Sequence, residues 1–215
     1  MIKTTEVRIT RKPVNYKIHI GSGIITRLGL PKGFIITDTN VFEQYQNLIG
    51  NKNYFVIKAG EQSKTEENFL AIANYLPSNV ERIVALGGGV VGDLAGFVAS
   101  AYRRGTPLVQ VPTTLLAMVD SSIGGKNGVN LGNKKNYLGK IDQPNVVLID
   151  PLFLETLSDK EKTNGLAEII KYGTIFDIPS LKSLQKGVKH SDLEKIILQC
   201  TKVKARVVEK GEFDL

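Results

Sequence analysis

The chain has 215 residues, of which 42% are hydrophobic and 23% are charged, and its formal net charge at pH 7 is +7. This composition predicts one or two folded domains with a sizeable core and excludes a disordered chain. The single cysteine, Cys200, excludes an internal disulfide framework, and no apolar run is long enough to span a bilayer. Since a secretory pattern is also missing at the N-terminus, we expect a protein of the reducing cytoplasm.

The excess positive charge suits a small anionic ligand better than a nucleic acid. The lysines are spread along the chain and do not form a basic stripe with interleaved aromatic residues, so we expect no nucleic-acid binding. A few lysines that converge on one pocket would bind a small substrate carrying carboxylate and phosphate groups. Most of the other lysines are then solvated surface residues.

The first two thirds of the chain alternate between short apolar strands and helices. Thr5 to Ile20 predicts two antiparallel strands, which end at a glycine-rich break. Helices at Glu66 to Leu76 and Val90 to Tyr102 separate some of the parallel strands that follow, at Phe34 to Thr37, Tyr54 to Ile57, Ile83 to Leu86, Leu108 to Val111 and Val146 to Ile149. This alternation predicts the α/β fold class, with a doubly wound, mostly parallel sheet that binds ligands at the carboxyl ends of its strands.

The pattern changes after Asp150-Pro151, where no further strand is predicted. Two helices follow, and capping-box spacings mark their starts at Ser158 with Glu161 and at Ser191 with Glu194. We therefore expect an α/β domain over residues 1–150 and the beginning of an all-helical domain over residues 151–215. Because so few helices make a small domain by themselves, we expect the chain to be cut short.

Two strands of the predicted sheet are each followed by a turn that has the features of a phosphate-binding turn. The first turn is Gly87-Gly88-Gly89-Val90-Val91-Gly92-Asp93 and leads into a helix, and the second is Pro112-Thr113-Thr114. Glycines let the backbone approach an anion, and the N-terminus of a helix attracts one. Asp38 ends another strand, where its carboxylate suits the hydroxyls of a ribose, although a helix cap is the more common role. Gly60 to Lys64 follows the next strand and is either part of this edge or a plain loop.

Several charged residues lie in positions that suggest chemistry. Asp120 and Lys126 belong to a polar block that begins at Thr113, and they form either a ligand site or an ion pair that orders a loop. Glu168 and Lys171 share a helix face, which usually means a surface salt bridge. Lys204 lies within an apolar helix stripe, so it needs an anionic partner or a route to water. Lys135-Asn136 is interpreted as a tip of the loop that includes the polar block.

Four segments of the chain resemble 3-dehydroquinate synthase, namely Gly60 to Lys64, Leu86 to Leu94, Val111 to Asn130 and Gly165 to Gly173. The resemblance extends over nearly the whole chain. It implies a homodimeric, NAD-bound enzyme of the shikimate route that converts 3-deoxy-D-arabino-heptulosonate 7-phosphate to 3-dehydroquinate and phosphate. A divalent ion, zinc or cobalt, is implied as a Lewis acid on the hydroxyl that is oxidised.

The resemblance also assigns roles to residues of this sequence. It implies that one set of residues holds NAD, and that Lys126 also lies near the cofactor. The set is Asp38, Asn40, Glu61, Lys64, Gly88, Gly89, Val90, Val91, Gly92, Asp93, Thr113, Thr114, Lys135, Phe153, Leu154, Glu155 and Thr156. The residues implied to face the substrate are Asp120, Lys126, Asn136, Lys171 and Lys204. Arg104 is implied to reach the substrate phosphate from the other subunit, and Glu168 to be a metal ligand.

The chain departs from the family in its metal site. Two histidines of the family lie in a later segment, and neither His19 nor His190 replaces them by position. Near the end, Gly211 and Asp214 stand where the family prefers Asp and Glu. We therefore expect this chain to bind NAD but to turn over slowly, since a single carboxylate binds zinc weakly.

Three alternatives differ from dehydroquinate synthase in activity. A 2-deoxy-scyllo-inosose enzyme is expected to carry an acidic residue in place of Lys204, because its substrate has no carboxylate. A metal-dependent polyol dehydrogenase would release NADH to solution. A non-catalytic NAD-binding module would have no use for Asp120, Lys126 and Lys204 together.

Overall fold

The fold is described from a computed structural model, which covers residues 14–176 and 190–211, with side chains from Leu193 onward in the last helix. Its centre is a six-stranded, wholly parallel sheet in the order β1-β8-β5-β4-β2-β3. The strands are β1 (Lys17–Ile20), β2 (Phe34–Asp38), β3 (Tyr54–Ile57), β4 (Ile83–Gly87), β5 (Leu108–Pro112) and β8 (Val146–Ile149). The five strands predicted for the parallel sheet are confirmed, each to within one residue of its bounds.

The N-terminal strand pairs differently from the prediction. Within the described residues β1 joins the sheet edge in parallel with β8, with Lys17 opposite Val146. Most of the strand that was predicted to pair with it in an antiparallel manner lies outside the described residues. His19 is exposed on β1, as expected for a residue without a ligand role.

The helices are α1 (Thr39–Ile49), α2 (Glu66–Tyr75), α3 (Gly89–Ala101), α4 (Asp159–Phe176) and α5, described over His190–Lys210. The predictions for α2 and α3 are confirmed. The Ser158 hydroxyl accepts a hydrogen bond of 3.4 Å from the Glu161 amide, as its capping-box spacing predicted for α4. The side chains of Ser191 and His190 lie outside the described residues. No helix of the described part of the chain is long and apolar enough to cross a membrane.

Helices cover both faces of the sheet, because alternate strand residues point to opposite sides. The first hydrophobic cluster contains Val84 and Val109 of the sheet together with buried residues of α1, α4 and α5. The second contains Ile36 and Ile83 together with buried residues of α2 and α3. The doubly wound α/β class is therefore confirmed, and the helices of the predicted second domain contribute to the first cluster.

The region from 113 to 141 contains regular structure that the sequence analysis missed. A short π-helix spans Ala117–Ser121, and an antiparallel hairpin pairs β6 (Lys126–Leu131) with β7 (Lys134–Ile141). The interpretation of Lys135-Asn136 as a loop tip was wrong, since both residues lie within β7. Residues 134–140 are all exposed, so β7 lacks the alternation of apolar and polar residues that marks a half-buried strand.

Asp150 ties the end of β8 to the segment that follows β1. Its buried carboxylate accepts backbone hydrogen bonds of 2.8 Å from Gly23, 3.0 Å from Ile25, 2.8 Å from Thr26 and 3.1 Å from Leu152. Burial alone would raise the pKa of Asp150, but the amide donors outweigh burial and lower it below the ordinary value of 3.8. The charged form is therefore part of the folded structure.

We expect Asp150→Asn to lower the free energy of unfolding at pH 7 by about 2–4 kcal/mol, because an amide cannot accept from all of these donors. Since the pKa is depressed in the folded state, the contribution of Asp150 is present above pH 3.8 and is lost as the pH falls through the folded-state pKa. Urea unfolding between pH 3 and 7 measures both effects. Asp159→Asn, at a fully exposed position, is the control, and an equal loss in the two variants would contradict the assignment.

Candidate active site

The carboxyl ends of the central strands bring the predicted turns to one edge. Gly87 at the end of β4 lies opposite Pro112 at the end of β5, and the Thr113 amide donates to the Gly87 carbonyl at 3.0 Å. Asp38 at the end of β2 lies opposite Ile57 of β3, which precedes the turn 60–64. The shared edge follows from parallel pairing, in which all strands end on the same side.

The glycine turn 87–92 leaves the N-terminus of α3 open. Gly88 is the N-cap residue and provides no side-chain cap, so the first amides of α3 lack a partner from a capping side chain. A Cβ atom at Gly88 would lie 2.9 Å from Thr114 Cγ2, and one at Gly89 would lie 3.1 Å from Ser121 Oγ. That Ser121 hydroxyl oxygen is buried without a hydrogen-bond partner among the described residues. Free donors, close backbone approach and an orphaned hydroxyl together suit a bound anion.

A buried lysine links the glycine turn to the hairpin. Lys64 is 4% exposed, and its ammonium donates to Asp93 of α3 and to Asn136 of β7. Burial raises the pKa of Asp93 to about 6, although Lys64 opposes the shift, and the charges of Glu61 and Asp120 add to it. The Lys64 ammonium therefore joins three segments of the chain. The Asp93 carboxyl beside it, with a pKa of about 6, lies at the site.

Asn130 is a residue that the sequence analysis missed. Its side chain donates to Glu61 Oε1 at 3.1 Å and accepts from the Asn136 amide at 2.8 Å, while its own amide donates to the Lys64 carbonyl at 2.8 Å. These bonds hold Asn136 at a φ of +52°, a region that asparagine tolerates better than most residues. Since the contacts depend on the hairpin register, only a prediction of the hairpin could have revealed them.

Asp120 lies where the π-helix meets the two C-terminal helices. Its Oδ1 atom accepts a hydrogen bond of 2.6 Å from the Tyr172 hydroxyl of α4 and lies 2.9 Å from Lys204 Nζ of α5. Lys204 was predicted to need an anionic partner or a route to water, and Asp120 is that partner. Tyr172 was missed, although a tyrosine on the buried side of a helix usually finds a hydrogen-bond partner.

A cavity of about 450 Å³ lies between the hairpin, α3, the π-helix and α5. Its walls include four of the residues that were predicted to face the substrate, namely Asp120, Lys126, Asn136 and Lys204. Asp93 and Ser121 line it as well, so the cavity adjoins the glycine turn. Its lining carries three lysines and two asparagines against the two carboxylates of Asp93 and Asp120, which makes it suitable for an anionic, hydroxylated ligand. A smaller cavity of about 220 Å³ lies away from these residues, near Thr106 and Asn145.

The other two predicted substrate residues do not line this cavity. Lys171 is half-exposed on α4, and its Nζ lies 2.5 Å from Glu168 Oε1, so the predicted ion pair of the two side chains is confirmed. Arg104 is exposed at the end of the short 3-10 helix Tyr102–Arg104 and has a φ of +65°. Its predicted role in a neighbouring subunit stays a prediction.

The residues predicted to hold NAD fall into three groups. Glu61, Lys64, Gly88, Gly89, Thr113 and Thr114 lie at the strand ends or in the turns that follow them, while Gly92 and Asp93 lie in the first turns of α3. The side chains of Val91, Phe153 and Leu154 are buried in the clusters, so only their backbones are free for a ligand. Asn40, Lys135, Glu155 and Thr156 are exposed. Asp38 accepts a hydrogen bond of 3.0 Å from the Val41 amide. It therefore has the helix-capping role, which was one of the two roles, with ribose binding, that the sequence left open.

The described residues do not form a complete metal site. Among them no group of three or more histidine, cysteine, aspartate or glutamate side chains could hold an ion. Glu168 is the predicted ligand, and near it burial and the Glu168 charge raise the pKa of the Cys200 thiol to about 12. The thiol therefore stays protonated at neutral pH.

The fold and the site define an α/β protein with a polar cavity near the carboxyl edge of a parallel sheet, beside a helix N-terminus without a capping side chain. Residues 54–164 match the family model described as 3-dehydroquinate synthase N-terminal. The chain belongs to this family, as the resemblance in its motifs implied.

Curated relatives match nearly the whole chain. The 3-dehydroquinate synthase of Alkaliphilus oremlandii is 38% identical over 232 residues, with 97% of this chain and 64% of the relative covered. The 3-dehydroquinate synthase of Desulforamulus reducens is 41% identical over 225 residues, with 92% and 62% covered. The chain thus spans less than two thirds of the length of these relatives.

Solved structures of sugar-phosphate cyclases share the fold. The 2-epi-5-epi-valiolone synthase of Streptomyces hygroscopicus, solved with NAD+ and Zn²⁺, is 27% identical with a TM-score of 0.81, covering 96% of this chain and 65% of that chain. A 2-deoxy-scyllo-inosose synthase solved with carbaglucose-6-phosphate, NAD+ and Co²⁺ is 25% identical with a TM-score of 0.71, covering 89% and 60%. An iron-containing alcohol dehydrogenase of Thermotoga maritima, at 15% identity and a TM-score of 0.66 with 91% and 68% covered, shows the fold alone.

We expect Lys64→Met to raise the pKa of Asp93 above its value of about 6, because the opposing positive charge is lost while the buried volume stays filled. In the wild type, the Asp93 carboxyl is protonated in the folded protein between pH 3.8 and about 6, but it is ionised in the unfolded chain. The free energy of unfolding therefore falls as the pH rises through this window. Carboxyl ¹³C NMR titration, assigned with Asp93→Asn, measures the pKa. Lys134→Met on the same hairpin is the control, and an unchanged or lower pKa in Lys64→Met would contradict the assignment.

Proposed function

We propose that this chain carries the cofactor and substrate sites of a 3-dehydroquinate synthase. The reaction converts 3-deoxy-D-arabino-heptulosonate 7-phosphate to 3-dehydroquinate and phosphate in the shikimate route of the cytoplasm. The observation that carries the proposal is the cavity of about 450 Å³, which brings Asp120, Lys126, Asn136 and Lys204 together beside the glycine turn. The curated relatives named 3-dehydroquinate synthase support the choice of reaction.

The glycine turn is the proposed binding site for the NAD pyrophosphate. The turn has the features that this group needs, because α3 begins without a capping side chain and a Cβ at Gly88 or Gly89 would occupy the approach. Ser121 adds a hydroxyl that lacks a partner among the described residues. Both cyclase structures that share the fold were solved with NAD+.

The side chains of the cavity would bind and orient the substrate. When bound, NAD supplies a hydride acceptor, so that one substrate hydroxyl becomes a ketone for part of the cycle. The neighbouring C–H bond would then be more acidic, so that phosphate would leave by β-elimination as this proton is lost, and return of the hydride would reduce the ketone again. Lys126 and Lys204 offset the negative charge of the carboxylate and the departing phosphate, and Asn136 offers its amide to the hydroxyls.

A divalent metal is part of this proposal because the family resemblance implies one. We propose Glu168 as one ligand of zinc or cobalt, which the two cyclase structures contain. The described residues do not offer the further ligands that a tetrahedral site requires.

The rival functions are favoured by fewer observations. The alcohol dehydrogenase structure is too distant in sequence to indicate more than the fold. A polyol is uncharged, whereas the cavity is lined by three ammonium groups against two carboxylates. A homodimer, with Arg104 reaching the substrate of the partner subunit, belongs to the proposal and rests on the family resemblance.

We expect Lys126→Met to raise the dissociation constant of 3-deoxy-D-arabino-heptulosonate 7-phosphate by roughly 10-fold to 100-fold, because a charge-assisted hydrogen bond is lost. The affinity for NAD alone should change by less than about twofold, since the phosphate-binding turn is intact. Isothermal titration calorimetry on the NAD-loaded chain measures both constants. Lys160→Met is the matched control, because this lysine is exposed on α4 and does not line the cavity.

Two outcomes would contradict the proposed function. One is substrate affinity that is equal in Lys126→Met and wild type. The other is steady accumulation of NADH, read at its nicotinamide absorbance, when glycerol and a divalent metal are added to the NAD-loaded chain. The second outcome would favour the polyol dehydrogenase instead.

A further inference from the structure

We propose that Tyr172 is a positioning residue of this site, which holds the Asp120 carboxylate in place on the wall of the cavity. The identity of the ligand rests on the proposed function. The hydrogen bond between Tyr172 and Asp120 is independent of the proposed function. Tyr172 belongs to none of the roles that the family resemblance assigned.

The contacts place Tyr172 behind Asp120. Its hydroxyl donates to Asp120 Oδ1 at 2.6 Å, and Lys204 Nζ lies 2.9 Å from the same oxygen. Asp120 and Lys204 line the cavity, whereas Tyr172 does not and is only 4% exposed. A group that reaches the cavity only through another side chain acts by orienting it. Both donors meet Oδ1, and neither of these described donors bonds Oδ2, the oxygen proposed to face the ligand.

The packing of α4 fixes the distance between the two residues. A Cβ at Gly165 would lie 2.5 Å from the Leu115 Cβ and 2.8 Å from the Leu116 amide, so α4 approaches the start of the π-helix segment as closely as a glycine allows. Ile169 and Tyr172 follow on the same helix face and are buried. The phenol is therefore aimed at the π-helix by backbone packing, and its ring is held within the first hydrophobic cluster.

The chemistry of the hydroxyl keeps it a donor. Burial raises the pKa of Tyr172 well above its ordinary range, and the hydrogen bond to Asp120 and the charges of Asp120 and Glu168 raise it further. Asp120, by contrast, is an acceptor that two donors satisfy. Without the phenol, the flexible Lys204 side chain is the remaining donor to Oδ1 among the described residues, and the orientation of the carboxylate toward a ligand is less fixed.

The test is a double-mutant cycle on the full chain with Tyr172→Phe, Asp120→Asn and the two combined. Phenylalanine keeps the ring in the core and removes only the hydroxyl. We expect Tyr172→Phe to raise the dissociation constant of 3-deoxy-D-arabino-heptulosonate 7-phosphate with NAD present by about 10-fold. In the Asp120→Asn background the same change should alter it by less than about twofold. Tyr102→Phe, whose hydroxyl donates 3.2 Å to the Pro77 carbonyl, controls for loss of a phenol elsewhere.

A second measurement does not depend on the ligand. Urea unfolding of the four proteins gives the coupling of Tyr172 and Asp120 in the free energy of unfolding, which should be clearly non-zero if the hydrogen bond exists. Absence of coupling would overturn the inference, as would an equal loss of substrate affinity in both backgrounds. If the wild type binds no substrate, the proposed function fails, and the coupling alone decides whether Tyr172 holds Asp120.

Discussion

The close approach of the N-terminus of α3 to the segment 113–121 is the constraint on which the site depends. Gly88 and Gly89 have no side chains, and a single Cβ at either residue would crowd Thr114 or Ser121. Because of this contact, the open amides of α3, the threonine turn after β5 and the π-helix that carries Asp120 all lie together. A larger residue would fill the approach and move the π-helix away from α3.

Two hydrogen-bonded ionic groups then bring the remaining elements to this point. Lys64 joins the turn after β3 to α3 and to the hairpin through Asp93 and Asn136. Asp120 joins the π-helix to both C-terminal helices through Tyr172 and Lys204. Each group satisfies charges that would be costly to bury alone, so the same contacts that shape the cavity also fix the relative positions of its walls. The cavity residues come from five separate stretches of the chain.

The sequence predicts five of the six strands of the sheet well because each of the five is a short apolar run between clear breaks, whereas β1, in which Lys17 and His19 are exposed, pairs differently from the prediction. It also predicts that Lys204 needs either an anion or a route to water, since its charge cannot stay unpaired within an apolar stripe. It fails for β7, whose residues 134–140 are exposed and carry no alternation. It fails equally for Asn130 and Tyr172, because their partners lie 6 and 52 residues away and are set by tertiary packing rather than by local pattern. Asp38 shows the intermediate case, in which the capping role is visible in the structure and ribose binding stays a prediction.

The central claim is that one anionic substrate and NAD occupy adjoining places at the strand ends of this sheet. The most direct measurement is a crystal structure of the chain with NAD and 3-deoxy-D-arabino-heptulosonate 7-phosphate. The account predicts density for the pyrophosphate at the amides of Gly89 and Val90, and for the substrate against Lys126, Lys204 and Oδ2 of Asp120. A pyrophosphate bound elsewhere, or a substrate outside this cavity, would contradict it.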